Sequence, residues 1–249
     1  MVIDKGLGLY QLSDLLATTA DFIDFLKFGF GTAVLYRRPV LARKLALLRA
    51  HEVCAYPGGT LLEAAVLQGK APGFLRWCRR IGFRFVEVSD GTIDLPSGVR
   101  RDLIHRARDA GFGVLTEVGK KDPRRQPEAA RVAEQVEDDL DAGAWKVIIE
   151  ARDSGRGVGI YDEDGRLKDS LYEDIVRRLR SMDDVIWEAP DPLQQRALLL
   201  RMGPNANFGN VQPAHVMSLE AMRVGLRSDT LSPPVRETPL EEAGIRQTV

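Results

Sequence analysis

Four apolar runs end in a carboxylate: "FVEVSD" with Glu87 and Asp90, "LTEVGK" with Glu117, "VIIEAR" with Glu150 and "VIWEAP" with Glu188. Any one of them could simply terminate a strand and pair with a nearby arginine. Four in a row at the same relative position form a pattern. Carboxylates gathered at one mouth repel each other, and a hard divalent cation relieves the repulsion. Oxygen donors without a His/Cys cluster favour Mg²⁺ over Zn²⁺. The three histidines, His51, His105 and His215, fall in or beside helical segments and are expected to be packing or surface residues.

The lysines point to the same places. Of 35 Lys plus Arg only eight are lysine, and four of these follow strand-like runs: Lys5, Lys27, Lys120 and Lys121. Lys146 starts a run instead and belongs at the opposite end. In an arginine-rich chain a retained lysine has one property arginine lacks, a pKa that can fall far enough to release a proton. The pair in "LTEVGKKDP" therefore raises the possibility of proton transfer on an anionic substrate. The bland alternative is a set of separate salt bridges. Two glycine-rich turns, "YPGGT" (Tyr56–Thr60) and "ARDSGRGVG" (Ala151–Gly159, with Arg152 and Arg156), could offer backbone N–H groups to a phosphate.

These residues need elements to position them. Strand-length apolar runs are expected at Val2–Asp4, Phe22–Gly29, Val53–Pro57, Phe85–Ser89, Val114–Gly119, Lys146–Ala151, Val185–Ala189 and Asn207–Val211. Their near-continuous hydrophobicity fits parallel strands covered on both faces. Helical periodicity lies between them. Leu41, Leu45 and Leu48 share a face, as do Phe74, Cys78 and Ile81. Val99, Leu103, Ala107 and Ala110 form another, with Ser97 as cap and Gly111 as stop. Ala129, Val132, Ala133, Val136 and Leu140 repeat it before Gly143. Eight βα units in 249 residues match the size of a single (β/α)₈ barrel, whose chemistry sits at the C-terminal ends of the strands. An open doubly wound sheet is the alternative, but no nucleotide-binding glycine motif follows any strand. Strand alternation lets Glu87, Glu117, Glu150 and Glu188 all point inward. The barrel is expected over residues 1–230, with a polar tail over 231–249.

Composition bounds the rest. A net charge of −1 argues against a nucleic-acid or membrane-surface role, since neither comes without a basic face. Two cysteines without CxxC spacing, Cys54 and Cys78, argue against a disulfide framework or a zinc site. With no signal-peptide pattern and no apolar run of 18 residues, a cytoplasmic location is expected. The expected partners are a small phosphorylated anion and further copies of the chain in a homo-oligomer.

The ordered series "DKG" (Asp4–Gly6), "FIDFLKFGFGT", "YPGGTLLE", "VEVSDGT", "LTEVGKK", "DLDAGAWKVIIEARDSG", "WEAP" and "GLRSDT" resembles the phosphosulfolactate synthase family over about Asp4–Thr230. The resemblance implies a (β/α)₈ barrel that adds sulfite to phosphoenolpyruvate with Mg²⁺, giving (2R)-2-phospho-3-sulfolactate, the first step of one coenzyme M route. It further implies proton delivery by Lys121, with Lys120 on the phosphate or sulfite unless the two roles are exchanged. Glu150, Glu188 and Glu117 would hold the metal. Lys5, Lys27, Arg152, Ser154, Gly155 and Gly157 would hold the substrate anions. Two alternatives stay open: a phosphoenolpyruvate-using lyase with another small nucleophile, and a non-catalytic barrel used for interaction or stress protection; the family also includes a plant heat-stress branch for which the activity is not implied. The chain departs from the family pattern in its short first strand and in "GPNANFGN", where Ala206 and Phe208 could reshape the eighth-strand pocket.

Overall fold

The structure, a computed structural model, describes residues 1–228, 230 and 231. The tail expected over 231–249 lies outside the described residues apart from Leu231. Eight parallel strands alternate with helices in the order expected of a (β/α)₈ barrel. They are β1 Val2–Asp4, β2 Phe25–Phe28, β3 Cys54–Pro57, β4 Phe85–Ser89, β5 Gly113–Val118, β6 Lys146–Ile149, β7 Val185–Glu188 and β8 Phe208–Gly209. The helices are α1 Leu9–Thr19, α2 Thr32–Leu35, α3 Arg38–Ala50, α4 Gly59–Leu67, α5 Ala71–Ile81, α6 Ser97–Asp109, α7 Ala129–Asp141, α8 Asp169–Val176, α9 Pro192–Met202 and α10 Val216–Arg223. No described helix is long and apolar enough to cross a membrane.

Ladders run continuously through β1-β2-β3 and through β4-β5-β6-β7-β8. A parallel bridge between Val2 and Val211 closes the β8–β1 seam, with Ile3 N–H donating to Val211 O at 3.1 Å. The short first strand is therefore held on both sides. At the other seam β3 and β4 lie side by side without a ladder. There the first turn of α4 leans in, and Gly59 N–H donates to Glu87 Oε1 at 2.6 Å. A Cβ at Gly59 would lie 2.1 Å from Ser89 Oγ, so the second glycine of "YPGGT" permits this approach.

Strand alternation builds the lumen in layers. Phe25, Tyr56, Leu115, Ile148 and Ile186 form an apolar plug at the lower levels. Two residues further along, the same strands present Lys27, Glu117, Glu150 and Glu188 at the mouth, all buried. The outward-facing strand residues, such as Val86, Val114, Val147 and Trp187, join the helices in the larger outer core.

Three local expectations are corrected. Phe22 is 44% exposed and ends a 3₁₀ turn over Ala20–Phe22, so β2 starts only at Phe25. Ser97 is the first helical residue of α6 rather than its cap, because the Pro96 carbonyl already accepts from Val99 and Arg100. Val99 is exposed, and Arg100 takes the inward slot beside Leu103, Ile104 and Ala107. Phe208 packs under Arg223, whose guanidinium lies 4.9 Å from the ring centroid, and it lines a cavity at the N-terminal end of the strands with Trp145 and Lys146. Its departure from the family pattern therefore lies away from the carboxylate mouth.

Candidate active site

The mouth contains four carboxylates, each about 1% exposed: Glu87 from β4, Glu117 from β5, Glu150 just past β6 and Glu188 from β7. Lys27, at the end of β2, reaches across the barrel. Its Nζ lies 2.7 Å from Glu117 Oε2, 3.1 Å from Glu87 Oε2 and 3.4 Å from Glu188 Oε1. Lys121 approaches from the opposite rim, 3.4 Å from Glu117 Oε1, 3.5 Å from Glu150 Oε2 and 3.4 Å from Thr60 Oγ1. Gly119, with φ of +128°, turns the chain that carries Lys121 inward; a Cβ there would meet Glu150 at 2.8 Å.

Four carboxylates against two ammonium groups leave two negative charges over, and the proton affinities register the imbalance. Burial disfavours a charged Lys27, but Glu117, Glu87 and Glu188 outweigh it and raise its pKa well above the usual range. Glu117 chiefly, helped by Glu150, raises that of Lys121 against burial. Burial also works against a charged Glu117, yet Lys121 and Lys27 hold its carboxyl well below the normal range. The remaining carboxylates go the other way. Burial, opposed by Lys27 and reinforced by Glu117, pushes Glu87 up to about 7. Burial first, then the Glu117 and Glu188 charges, raise Glu150, and burial raises Glu188 despite Lys27.

A divalent cation fits this donor set. Glu117, Glu150 and Glu188 offer oxygens within 4.8 Å of one another. Glu117 Oε1 and Glu150 Oε2 are buried without a hydrogen bond. All donors are hard oxygens, and two positive charges equal the excess.

The structure thus brings together Lys27, Lys121, Glu117, Glu150 and Glu188, and adds Glu87 and Thr60. It turns Lys120 away: its Nζ donates to Asp90 O, Asp90 Oδ2 and Ile93 O at 2.6, 2.8 and 2.9 Å in the loop after β4. Lys5 sits on the rim, 3.6 Å from Asp153. The exposed Arg152, at φ of +62°, donates its N–H to Glu150 Oε1 at 2.5 Å. Ser154 is exposed; Gly155 O accepts from Gln194 Nε2 at 2.6 Å, and the Gly157 N–H is used by Asp162 O at 2.8 Å. That turn packs on α9, and one of its N–H groups is already spent.

Two site residues lie outside the expected set. Glu87 shares the strand-end signal of the other glutamates, and the fold adds it to the carboxylates that face Lys27. Thr60 follows the two glycines of "YPGGT" with no distinguishing pattern, and only the fold brings it to Lys121.

Parallel strands, a filled lumen and a charged mouth at their C-terminal ends define a (β/α)₈-barrel enzyme. Solved barrels agree in fold: 3-hexulose-6-phosphate synthase from Salmonella typhimurium superposes with a TM-score of 0.57 at 14% identity, covering 92% of each chain. The model of the (2R)-phospho-3-sulfolactate synthase (ComA) family matches residues 1–229, and the chain belongs to that enzyme family. It is 43% identical over 233 residues to phosphosulfolactate synthase of Methanothermobacter thermautotrophicus, covering 93% of this chain and 90% of the relative. It is 36% identical over 232 residues to that of Bacillus subtilis, covering 92% and 90%.

Proposed function

We propose that the chain adds sulfite to phosphoenolpyruvate to give (2R)-2-phospho-3-sulfolactate, in a reaction that needs Mg²⁺. The observation that carries this reading is the position of Lys121, an ammonium set between Glu117 and Glu150 beside the cluster suited to a cation. In the overall change the sulfite sulfur forms a bond to C3, the C2–C3 double bond becomes single, and C2 takes one proton. A cation on Glu117, Glu150 and Glu188 would supply electrophilic stabilisation where charge develops on the substrate carboxylate. Lys121 would deliver the proton from its Nζ, and its fixed side of the mouth would set the configuration at C2. Lys121 would share Glu117 and Glu150 with the cation and lose part of the attraction that holds its proton. Lys27 would keep the mouth carboxylates compensated, and Lys5 and Arg152, on the rim, would attract the substrate's anionic groups.

The test is incubation with phosphoenolpyruvate, sulfite and Mg²⁺, followed by mass spectrometry. A single sulfite adduct is expected, lost after EDTA treatment and restored by Mg²⁺ or Mn²⁺. Full activity in metal-free protein would defeat the metal assignment. Turnover with another nucleophile but not sulfite would defeat the substrate.

Metal binding is expected to strengthen with pH. Glu87, Glu150 and Glu188 all have raised pKa values, so at low pH the cluster is partly protonated and a cation must displace those protons. The rise in Tm on adding Mg²⁺ is therefore expected to be larger at about pH 8 than at about pH 6. An equal gain at both would show that these protons do not compete with the metal.

A further inference from the structure

The structure places Arg100 in a helix face otherwise built from Leu103, Ile104 and Ala107, and buries it to 2% exposure. A guanidinium at such a position is costly unless every donor is used. Here Nε donates to Asp139 Oδ1 and Oδ2 at 2.8 and 3.1 Å, and Nη2 to Asp139 Oδ2 at 2.5 Å. The other bonds leave the helix layer. Nη2 also donates to the Glu117 carbonyl at 3.0 Å, and Nη1 to Asp90 Oδ1 at 2.9 Å.

Those two acceptors mark a gap. The β4–β5 ladder ends at Ser89 opposite Glu117. On its other side β5 stays attached to β6, with Glu150 N–H donating to Val118 O at 3.0 Å. Arg100 fills the open side, satisfying the Glu117 carbonyl that the ladder no longer reaches. Asp90 passes the contact on, since its Oδ2 and carbonyl both accept from Lys120. With Lys120 tied to the β4 side, the next residue, Lys121, emerges into the mouth, and Lys121 N–H donates to Gly91 O at 3.0 Å.

We propose that Arg100, acting through Asp90, is a positioning residue that holds Glu117 and aims Lys121 at the carboxylates. The inference rests on Lys121 as the proton donor, so its test has one arm that needs no turnover. Lys121 is shielded by its ion pairs, whereas Lys146, at the start of β6 and so at the opposite end of the barrel, serves as internal reference. Acylation of lysines with acetic anhydride, read by peptide mass spectrometry as the Lys121 to Lys146 ratio, reports the aim directly. The variants are Arg100→Lys, which keeps the charge but cannot span both acceptors, and Asp90→Asn, which keeps an acceptor for Arg100 and loses the charge that holds Lys120. If Arg100→Lys does not fold, Asp90→Asn, at a partly exposed site, carries the test.

The expected result in folded variants is a severalfold higher labelling ratio. A kcat lower on the order of tenfold to a hundredfold, with KM for phosphoenolpyruvate little changed, should accompany it. Charge alone is insufficient on this view, so Arg100→Lys should not rescue. An unchanged labelling ratio, or wild-type kcat in both variants, would overturn the proposal. If the wild-type protein forms no sulfite adduct, the proposed function falls, and the labelling ratio alone decides the role of Arg100.

Discussion

Lys121→Arg is expected to lower kcat by roughly 10²–10⁴-fold, the usual loss when a positioned proton-transfer group is removed. Arginine keeps the charge that faces Glu117 and Glu150 at 3.4 and 3.5 Å, so the carboxylates stay paired and substrate binding should change modestly. It cannot release a proton near neutral pH, so protonation at C2 should fail. The loss therefore belongs to kcat more than to KM. Lys120→Arg provides the contrast. Its partners are Asp90 and the Ile93 carbonyl, and a smaller loss is expected there. A near-wild-type Lys121→Arg beside an inactive Lys120→Arg would exchange the two roles. Wild-type kcat in both would send the search for the acid to Lys5, Lys27 or a bound water.

Lys27→Met is expected to destabilise the fold by roughly 3–5 kcal/mol at about pH 8, because it leaves three buried carboxylates without their shared cation. The effect should depend on pH. The folded-state pKa of Lys27 lies well above its ordinary 10.5, so in the wild type its contribution is fully present across the neutral range. In the variant, Glu87, Glu117 and Glu188 lose the group that lowered their pKa values. A carboxyl with a folded pKa above its unfolded value near 4.5 binds more protons when folded, so stability falls as pH rises through that window. The gap in urea-unfolding free energy between wild type and variant should therefore widen from about pH 5.5 to about pH 8. Lys27→Met combined with Glu87→Gln should recover part of the loss. A gap that does not change with pH would mean that Lys27 stabilises the barrel by packing alone.

Much of this molecule was legible from local pattern. Strand alternation is a period of two in the backbone itself, so the inward direction of Glu87, Glu117, Glu150 and Glu188 follows from their place in apolar runs. The same rule puts Phe25 with Lys27, and Ile186 with Glu188, on one inward face, and the rise over two residues separates plug from mouth. Strand order and the barrel class follow from eight βα units of ordinary length.

What the chain order could not decide is who meets whom across the lumen. Lys27 meets Glu117 and Glu188 across 90 and 161 residues of sequence, so an expected substrate ligand also stands at ion-pair distance from the carboxylates. Lys120 and Lys121 are adjacent and chemically identical, and their opposite directions depend on Asp90 and Arg100, which arrive from other elements. A one-residue difference in helical phase separates an exposed Val99 from a buried Arg100. Periodicity leaves that phase loose, and the packing of α6 on β4 and β5 fixes it. Backbone geometry is local and is written in the order of residues. Pairing of charges in a closed barrel depends on curvature and closure, which exist only once all the strands are in place.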